Sequence, residues 1–318
     1  MIATVTPNPC IDYNLQIDEL QRNQMSPAKG ALLSPGGGGV NVARTVTRLG
    51  DVPVTAHGLA GGHIGAMLKS MLDAEKVMHD FIDTGLETRI NVLMSLTPDR
   101  ALVRVNAAGP ECEEAHGTAL LKKLAALTPA PKYLVLSGSL PGRKLPAGIP
   151  RTWYGQVIDE MRKKPEIRVV LDGREIALGH GVDRGPWLVK PNEIEMGRLA
   201  GRATLSSDRD FVVAAERFIA KYNIEYFVIS RGADGAIVVG KTERCKITTP
   251  ERVGLTRTGA GDAFVGGLVW ALAKGEPIDV ATRYAVTVGT ATVLSPAMEL
   301  FRREEIDKLF PKTSVERI

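Results

Sequence analysis

The sequence predicts an α/β fold in which a doubly wound, mostly parallel central sheet is flanked by helices and carries a small β-sheet lid. Three observations predict it. Short β-branched runs alternate with longer helical patterns, those runs are apolar throughout, and two strand-like stretches interrupt the alternation. Because unbroken apolar strands indicate a sheet covered on both faces, ligands are expected at the carboxyl ends of the strands.

The predicted core elements run along the whole chain, residues 1–318, as one unit with an insertion. Parallel strands joined by helical crossovers account for them. Strands are expected at 2–5, 54–57, 133–136, 168–171, 187–189 and 226–229. Helices are expected at 40–49, 63–75, 113–127, 151–164, 193–200, 208–222, 261–273 and 277–294.

The insertion is predicted from residues 12–34 and 88–107, which look like antiparallel strands with a hairpin at a Thr-Pro-Asp-Arg turn. Such strands would form a small sheet that projects from the core. A lid over a cleft is one use for it, because a closed lid keeps water from a reacting ligand. An edge extension of the main sheet is the alternative.

Composition excludes several classes of protein. The chain is 44% hydrophobic and 24% charged, and its 40 basic and 36 acidic side chains are dispersed, which argues against a nucleic-acid partner. The longest apolar run, 263–273, is shorter than the roughly 20 residues of a membrane span, so no membrane partner is expected. Three separated cysteines give neither a disulfide framework nor a zinc site, and a reducing cytoplasm is expected.

The most informative motif is Thr-Gly-Ala-Gly-Asp at 258–262, directly before a nearly all-apolar helix. Unpaired amides and the positive end of the helix dipole converge there beside a carboxylate. The backbone of Gly259, Ala260 and Gly261 could hold phosphate oxygens, while Asp262 could accept the proton of an attacking hydroxyl. Ordinary helix capping would use the same residue types.

A second glycine cluster, Pro-Gly-Gly-Gly-Gly-Val-Asn-Val-Ala-Arg at 35–44, leads into an amphipathic helix. Glycines let the backbone approach a ligand, and Asn41 offers both donors and acceptors to sugar hydroxyls. A flexible linker is the alternative, although a linker would not run directly into an amphipathic helix.

Asn192 and Glu195 follow a predicted strand and lie one helical turn apart. They could orient magnesium-bound water around a nucleotide phosphate, or they could form a capping box with the same spacing. Farther on, Ser-Arg-Gly-Ala-Asp-Gly at 230–235 suits a nucleotide rim or a hairpin turn. A Walker A match at 235–242 is rejected, because its Ala-Ile-Val-Val is strand sequence and no helix follows.

Together these segments resemble the ribokinase-like, or PfkB, carbohydrate kinase family over essentially the full length. The resemblance rests on Thr-Pro-Asn-Pro-Cys-Ile-Asp near the start, the glycine cluster, the segment from Asn192 to Glu195, and Thr-Gly-Ala-Gly-Asp. Within the family the chain looks most like the sugar-phosphate branch, which includes bacterial minor 6-phosphofructokinase, 1-phosphofructokinase and tagatose-6-phosphate kinase. The all-glycine cluster and Ser-Gly-Ser-Leu-Pro at 137–141 are closest to minor 6-phosphofructokinase.

The resemblance implies a role for each matching residue. Asp262 would be the base, and Gly259, Ala260 and Gly261 the anion hole. The sugar would be held by Asp12, Gly37, Gly38 and Asn41, and its phosphate by Arg89, Arg104 and Ser139. The ATP side would be lined by Lys190, Asn192, Ser230, Gly232 and Gly235, and Glu195 would act on Mg²⁺ through water.

The resemblance therefore implies an ATP- and Mg²⁺-dependent kinase of a ketohexose monophosphate, with fructose 6-phosphate expected and the 1-phosphofructokinase or tagatose-6-phosphate kinase reaction as the alternative. Kinases of unphosphorylated sugars or nucleosides and a nucleotide-binding sensor are further alternatives. Apolar outer residues on the lid strands favour a homodimer through the lid. Minor 6-phosphofructokinase has basic residues on the first lid strand where this chain has Met25 and Pro27, and Thr256 stands where many relatives have Asp.

Overall fold

The computed structural model describes residues 1–96, 101–142, 148–249, 259–295 and 300–318. Position 256, where the sequence departs from many relatives, lies outside these ranges, as does the predicted turn at 97–100. The strands are β1 (Ile2–Thr6), β2 (Cys10–Ile17), β3 (Ala28–Gly36), β4 (Val54–Ala60), β5 (Met78–Asp83), β6 (Arg89–Leu96), β7 (Leu102–Val105), β8 (Tyr133–Gly138), β9 (Arg168–Gly173), β10 (Leu188–Val189), β11 (Tyr226–Ser230), β12 (Ala236–Gly240), β13 (Arg244–Thr248) and β14 (Ser314–Arg317).

Helices alternate with these strands along most of the chain. They are α1 (Gly38–Leu49), α2 (Gly62–Ala74), α3 (Glu114–Ala125), α4 (Trp153–Met161), α5 (Glu175–Val182), α6 (Glu193–Leu199), α7 (Asp208–Tyr222), α8 (Ala260–Lys274), α9 (Ile278–Leu294) and α10 (Arg303–Leu309). All the predicted core strands and helices are present.

The central sheet has the order β14-β13-β12-β11-β10-β9-β8-β1-β4-β5. Strands β11 to β5 in this order pair in parallel, and β12, β13 and β14 add antiparallel pairs at one edge. One apolar core packs α1, α2, α8 and α9 on one face, and a second packs α3, α4 and α7 on the other. The predicted doubly wound, mostly parallel α/β fold is therefore confirmed.

Four elements were not predicted from the sequence: β5, α5, α10 and β14. Strand β5 has the sequence Met-His-Asp-Phe-Ile-Asp and no fully buried residue, because it lies at the edge of the sheet. Strand β14 is exposed along its whole length. Edge strands such as these are held by backbone pairing with one neighbouring strand, and their sequences lack the apolar pattern that predicts a buried strand.

A second, four-stranded sheet has the order β3-β2-β6-β7, and we call it the lid sheet. It is separate from the central sheet, so the edge-extension alternative does not hold. Its two hairpin pairs are antiparallel, but β2 and β6 are parallel, from Cys10 opposite Arg89 to Ile17 opposite Leu96. The expectation of antiparallel strands is wrong for this pair, since α1, β4, α2 and β5 separate its strands and permit a parallel crossover.

Cys10, Cys112 and Cys245 are buried free thiols. Within the described ranges, no helix combines the length and hydrophobicity needed to cross a bilayer.

Candidate functional site

The amino terminus of α8 is a glycine-built turn, as the sequence predicts. Gly259 precedes the helix in a left-handed conformation, with φ of 78°, and residues Ala263 to Leu272 are buried in the core. Among the described residues, no heavy atom lies within 4 Å of a Cβ built at Gly259 or Gly261. The first amides of α8 therefore face space that a ligand could fill.

Asp262 is half-buried in the first turn of α8. Its Oδ2 accepts a hydrogen bond of 2.8 Å from Nδ2 of Asn41, which lies in the first turn of α1. Burial and the nearby carboxylate of Asp172 raise the pKa of Asp262 to about 6, although Arg174, the Asn41 amide and Lys190 oppose the shift. A carboxylate with this pKa is ionised at neutral pH and is still basic enough to accept a proton.

A first cavity of about 600 Å³ opens between the lid sheet and the central sheet. Every residue expected to contact the sugar or its phosphate lines it, together with two from the start of α8. These residues are Asp12, Gly37, Gly38, Asn41, Arg89, Arg104, Ser139, Gly259 and Asp262.

Asp12 is buried on β2 at the floor of this cavity. Its Oδ1 accepts hydrogen bonds from the Asn91 amide at 2.9 Å and the Cys10 thiol at 3.3 Å. Burial and the Asp12 charge raise the pKa of Cys10 well above its ordinary value, so this thiol stays protonated. The Asp12 carboxylate is thereby held in a fixed orientation toward the cavity.

Arg89 is a structural clamp as well as a cavity residue. Its guanidinium donates to the backbone carbonyls of Asn8 at 2.9 Å, Pro9 at 3.4 Å and Ala107 at 2.7 Å. Because a guanidinium has five N–H donors, two remain for a ligand. Arg104 lines the same cavity and is exposed.

The glycines at 36–39 pack against the chain itself, which the sequence analysis did not anticipate. A Cβ built at Gly36 would lie 2.5 Å from Asp12 Oδ2, and one at Gly39 would lie 2.7 Å from the Val5 carbonyl oxygen. Gly37 has φ of 109° at the amino-terminal cap of α1. The cluster brings α1 directly onto β1 and Asp12, and it does not act as a linker.

A second cavity, of about 650 Å³, lies on the other side of the α8 amino terminus. Its polar rim is formed by residues expected on the ATP side and by two amides of the α8 turn: Asn192, Ser230, Gly232, Gly235, Ala260 and Gly261. Phe264, Val286, Val293 and Leu294 provide an apolar wall. An apolar wall with a glycine-rich polar rim suits a heteroaromatic base and its phosphates.

Lys190 and Glu195 do not line either cavity. Lys190 is buried, and its Nζ lies 2.9 Å from Asp172 Oδ1, whose partner oxygen accepts from Ser137 Oγ at 2.7 Å. Burial opposes the charge of Lys190, but Asp172 and Glu195 raise its pKa. Lys190 therefore neutralises a carboxylate beneath the site.

Asn192 and Glu195 form a reciprocal capping box at the start of α6. Asn192 Oδ1 accepts from the Glu195 amide at 2.8 Å, and Glu195 Oε2 accepts from the Asn192 amide at 2.9 Å. The contacts of this motif are therefore those of a helix-capping box, as one of the two interpretations predicted. One carboxylate oxygen of Glu195 is not used in the box.

The Walker A match at 235–242 is the hairpin of β12 and β13, so its rejection is confirmed. The segment from Ser230 to Gly235 joins the antiparallel strands β11 and β12 through a 3₁₀ turn at Gly232–Asp234, and it also lines the second cavity. The turn interpretation of that segment is confirmed, and its position beside the second cavity is compatible with the nucleotide-rim interpretation.

Two charged residues of the site, Asp172 and Arg174, were not predicted from the sequence. Both lie at the carboxyl end of β9, where ligands are expected in a doubly wound sheet. The signal was present in the Leu-Asp-Gly-Arg that follows the predicted strand at 168–171, but no glycine cluster or spacing marked it.

Comparison with known proteins agrees with this geometry. The profile of the pfkB family carbohydrate kinases matches residues 6–300. The chain is 30% identical over 318 residues to the 1-phosphofructokinase of Bacillus subtilis (strain 168), covering 100% of both chains. It is 28% identical over 298 residues to the D-tagatose-1-phosphate kinase of Bacillus licheniformis, covering 94% of each.

The structure is also similar to that of phosphofructokinase-2 from Escherichia coli. The two superpose with a TM-score of 0.90 at 27% identity, covering 98% of each chain. With a family profile that spans nearly the whole chain and relatives that match it from end to end, this chain belongs to the pfkB family of carbohydrate kinases, which are phosphotransferases.

Proposed function

We propose that this protein is an ATP- and Mg²⁺-dependent kinase that transfers the γ-phosphoryl group of ATP to a hydroxyl of a ketohexose 1-phosphate. The observation that carries the proposal is the position of Asp262. It faces the cavity that contains Asp12 and the arginines, while Ala260 and Gly261, two and one residues earlier, face the cavity with the apolar wall. Acceptor and donor would therefore meet at the start of α8.

The 1-phosphate is favoured over fructose 6-phosphate, which the sequence analysis expected. Curated relatives named 1-phosphofructokinase and D-tagatose-1-phosphate kinase match nearly the whole chain. Met25 is exposed where minor 6-phosphofructokinase has a basic residue, and Lys29 pairs with Asp18 at 2.7 Å outside the first cavity. The 1-phosphofructokinase alternative therefore replaces the original expectation.

In this reaction Asp262 accepts the proton of the attacking hydroxyl as its oxygen bonds to the γ-phosphorus of ATP, while the bond from that phosphorus to the bridging oxygen breaks and ADP leaves. Asn41 holds the carboxylate in place, and the amides of Gly259, Ala260 and Gly261 stabilise the charge on the phosphoryl oxygens. Asp12 orients the sugar hydroxyls, and Arg89, Arg104 and Ser139 bind the phosphate that the substrate already has. Positioning and charge stabilisation provide most of the acceleration, since phosphoryl transfer needs little covalent help.

The residues present fit a magnesium ion that is held mainly by nucleotide phosphates and water. Glu195 has one carboxylate oxygen that is not used in its capping box, and its charge raises the pKa of both Lys190 and Arg174. Among the described residues, no group of three His, Cys, Asp or Glu side chains converges as a direct metal site, so Glu195 would act through water. When bound, the ion would neutralise charge on the phosphates.

The lid sheet supports a further part of the proposal. Leu32, Ile90 and Val105 are exposed apolar residues on three of its strands. Pairing of two lid sheets in a homodimer would cover such side chains and help to close the first cavity. Light scattering of the pure protein tests this, and a monomer at micromolar concentration would contradict it. We place the enzyme in the cytoplasm, where its nucleotide and sugar phosphates are found.

The test of the proposed function is an ADP-release assay with a panel of acceptors. We expect the highest kcat/KM with fructose 1-phosphate or tagatose 1-phosphate, a lower value with the 6-phosphates, and the lowest with free sugars. Turnover confined to an unphosphorylated sugar or a nucleoside would contradict the proposal.

A further inference from the structure

Arg174 lies in the first cavity, among the charged residues of the site. It directly follows Gly173, the last residue of β9, and is the amino-terminal cap residue of α5. Its side chain lines the first cavity together with Asp262. No interpretation of the sequence motifs gave this residue a role.

Two other cations of the site are already engaged. Lys190 is paired with Asp172 at 2.9 Å, and Arg89 donates to three backbone carbonyls. In contrast, the guanidinium of Arg174 forms no hydrogen bond or ion pair with any residue that the structure describes. All five of its N–H donors remain for a ligand.

Three carboxylates interact electrostatically with Arg174, and one of them, Asp262, lines the same cavity. Burial alone would lower the pKa of Arg174, but Asp262, Asp172 and Glu195 raise it, and Asp262 contributes most among them. The coupling is mutual, because Arg174 lowers the pKa of Asp262. Arg174 is thus electrostatically linked to the base.

A phosphoryl group in transit would bring negative charge into a region that holds three carboxylates. Lys190 is paired directly with Asp172, so the approach of the phosphoryl oxygens would be opposed mainly by the carboxylates of Asp262 and Glu195. A guanidinium without a protein partner can donate two parallel hydrogen bonds to such oxygens.

We propose that Arg174 contacts the phosphoryl group in transit and stabilises its charge, as a catalytic arginine supplied by the same chain. The inference rests on the proposed kinase function and deepens it. The phosphate that the substrate already has is assigned to Arg89 and Arg104, which line the same cavity. Arg174 therefore acts on the rate of transfer more than on acceptor binding.

The experiment compares Arg174→Ala, Arg174→Lys and a control, Arg209→Ala, which removes one exposed arginine on α7. We measure kcat and KM for the best acceptor, and the thermal shift caused by ADP alone and by ADP with aluminium fluoride, a mimic of the transferring phosphoryl group. We also add guanidine hydrochloride at millimolar concentration, because a free guanidinium can replace the missing side chain.

We expect Arg174→Ala to lower kcat by about 10³-fold, with less than about a threefold change in acceptor KM. The additional thermal shift from aluminium fluoride should disappear while the ADP shift remains, and guanidine should restore part of kcat. The kcat of Arg174→Lys should lie between those of Arg174→Ala and the wild type. Arg209→Ala should match the wild type in kcat and in both thermal shifts.

Two results would overturn the inference: wild-type kcat in Arg174→Ala, or a tenfold or larger rise in acceptor KM at unchanged kcat, which would assign Arg174 to the existing phosphate. Should Arg174→Ala not fold, Arg174→Lys decides by the same criteria. A wild-type enzyme that is inactive on every acceptor counts against the proposed function. The aluminium fluoride shift measured without acceptor still tests Arg174 in that case.

Discussion

Asn41 Nδ2 donates a 2.8 Å hydrogen bond to Asp262 Oδ2 across 221 residues of sequence. This bond joins the glycine-rich start of α1 to the glycine-rich start of α8. Asn41 Oδ1 in turn accepts from Arg44 at 3.2 Å, which fixes the orientation of the amide. Two motifs that are separate in sequence therefore form one unit around the carboxylate.

The first prediction concerns pH. Because the pKa of Asp262 is about 6, kcat/KM should be constant above pH 7 and fall tenfold per pH unit well below pH 6, where the protonated carboxyl cannot accept a proton. Asn41→Ala removes a donor that favours the charged form, so the acid limb should move to higher pH. A pH–rate profile from 5 to 9 checks both, and an unmoved acid limb in Asn41→Ala would count against this role of the bond.

The second prediction concerns the support of Asn41. Arg44 is buried and pairs with Glu75 through two contacts of 2.6 Å, while its Nη1 also donates to the Pro35 carbonyl at 3.0 Å. Arg44→Met should reduce the free energy of unfolding by about 1–3 kcal/mol and shift the acid limb as Asn41→Ala does. Arg44→Lys should lose less stability than Arg44→Met, but its acid limb should still be shifted. A lysine ammonium cannot both pair with Glu75 and donate to Asn41 as the guanidinium does. Denaturant unfolding and pH profiles of both variants test this, and an acid limb that stays in place in Arg44→Met would argue against it.

The third prediction separates catalysis from stability at the α8 turn. Gly261→Ala places a methyl group in space that is open among the described residues, so it should cut kcat/KM for ATP by at least about tenfold while stability stays equal or rises by up to about 1 kcal/mol. Gly259→Ala should lower both kcat/KM for ATP and stability, because an alanine at the φ of 78° of this position costs about 1–2 kcal/mol. Thermal unfolding beside steady-state kinetics measures the difference. Full activity of Gly261→Ala would show that the open space serves no ligand.

The fourth prediction distinguishes two arginines in the first cavity. Arg89→Ala should raise KM for the sugar phosphate and also lower Tm, because three carbonyls lose their charged donor. Arg104→Ala should raise the same KM by about tenfold with little change in Tm, since Arg104 is exposed. A free sugar as acceptor is the control for both variants. Equal KM values for the phosphorylated acceptor in wild type and Arg104→Ala would exclude Arg104 from phosphate binding.

The sequence predicted the central sheet well because its strands are buried on both faces and read as unbroken apolar runs. It also pointed to residues that line the two cavities, and the backbone conformations of Gly37 and Gly259 favour glycine. Both glycine motifs lie where cavities open.

The parts that were missed depend on contacts between distant segments. The parallel pairing of β2 with β6 and the carbonyl clamp of Arg89 bring together residues about 80 positions apart. Asp172 and Arg174 come into the site through the order of β8, β9 and β10 in the sheet. Local periodicity carries no information about such neighbours.

The most direct test of the central claim is ADP release with a ketohexose 1-phosphate at pH 8, measured for the wild type and for Asp262→Asn. We expect kcat of the variant to fall by about 10²–10⁴-fold while ATP still binds, because the amide cannot accept the proton. Thermal stability should be retained or increased at this pH, since burial and Asp172 disfavour the charged form of Asp262 and the amide is neutral. Near-wild-type turnover in Asp262→Asn would contradict the account.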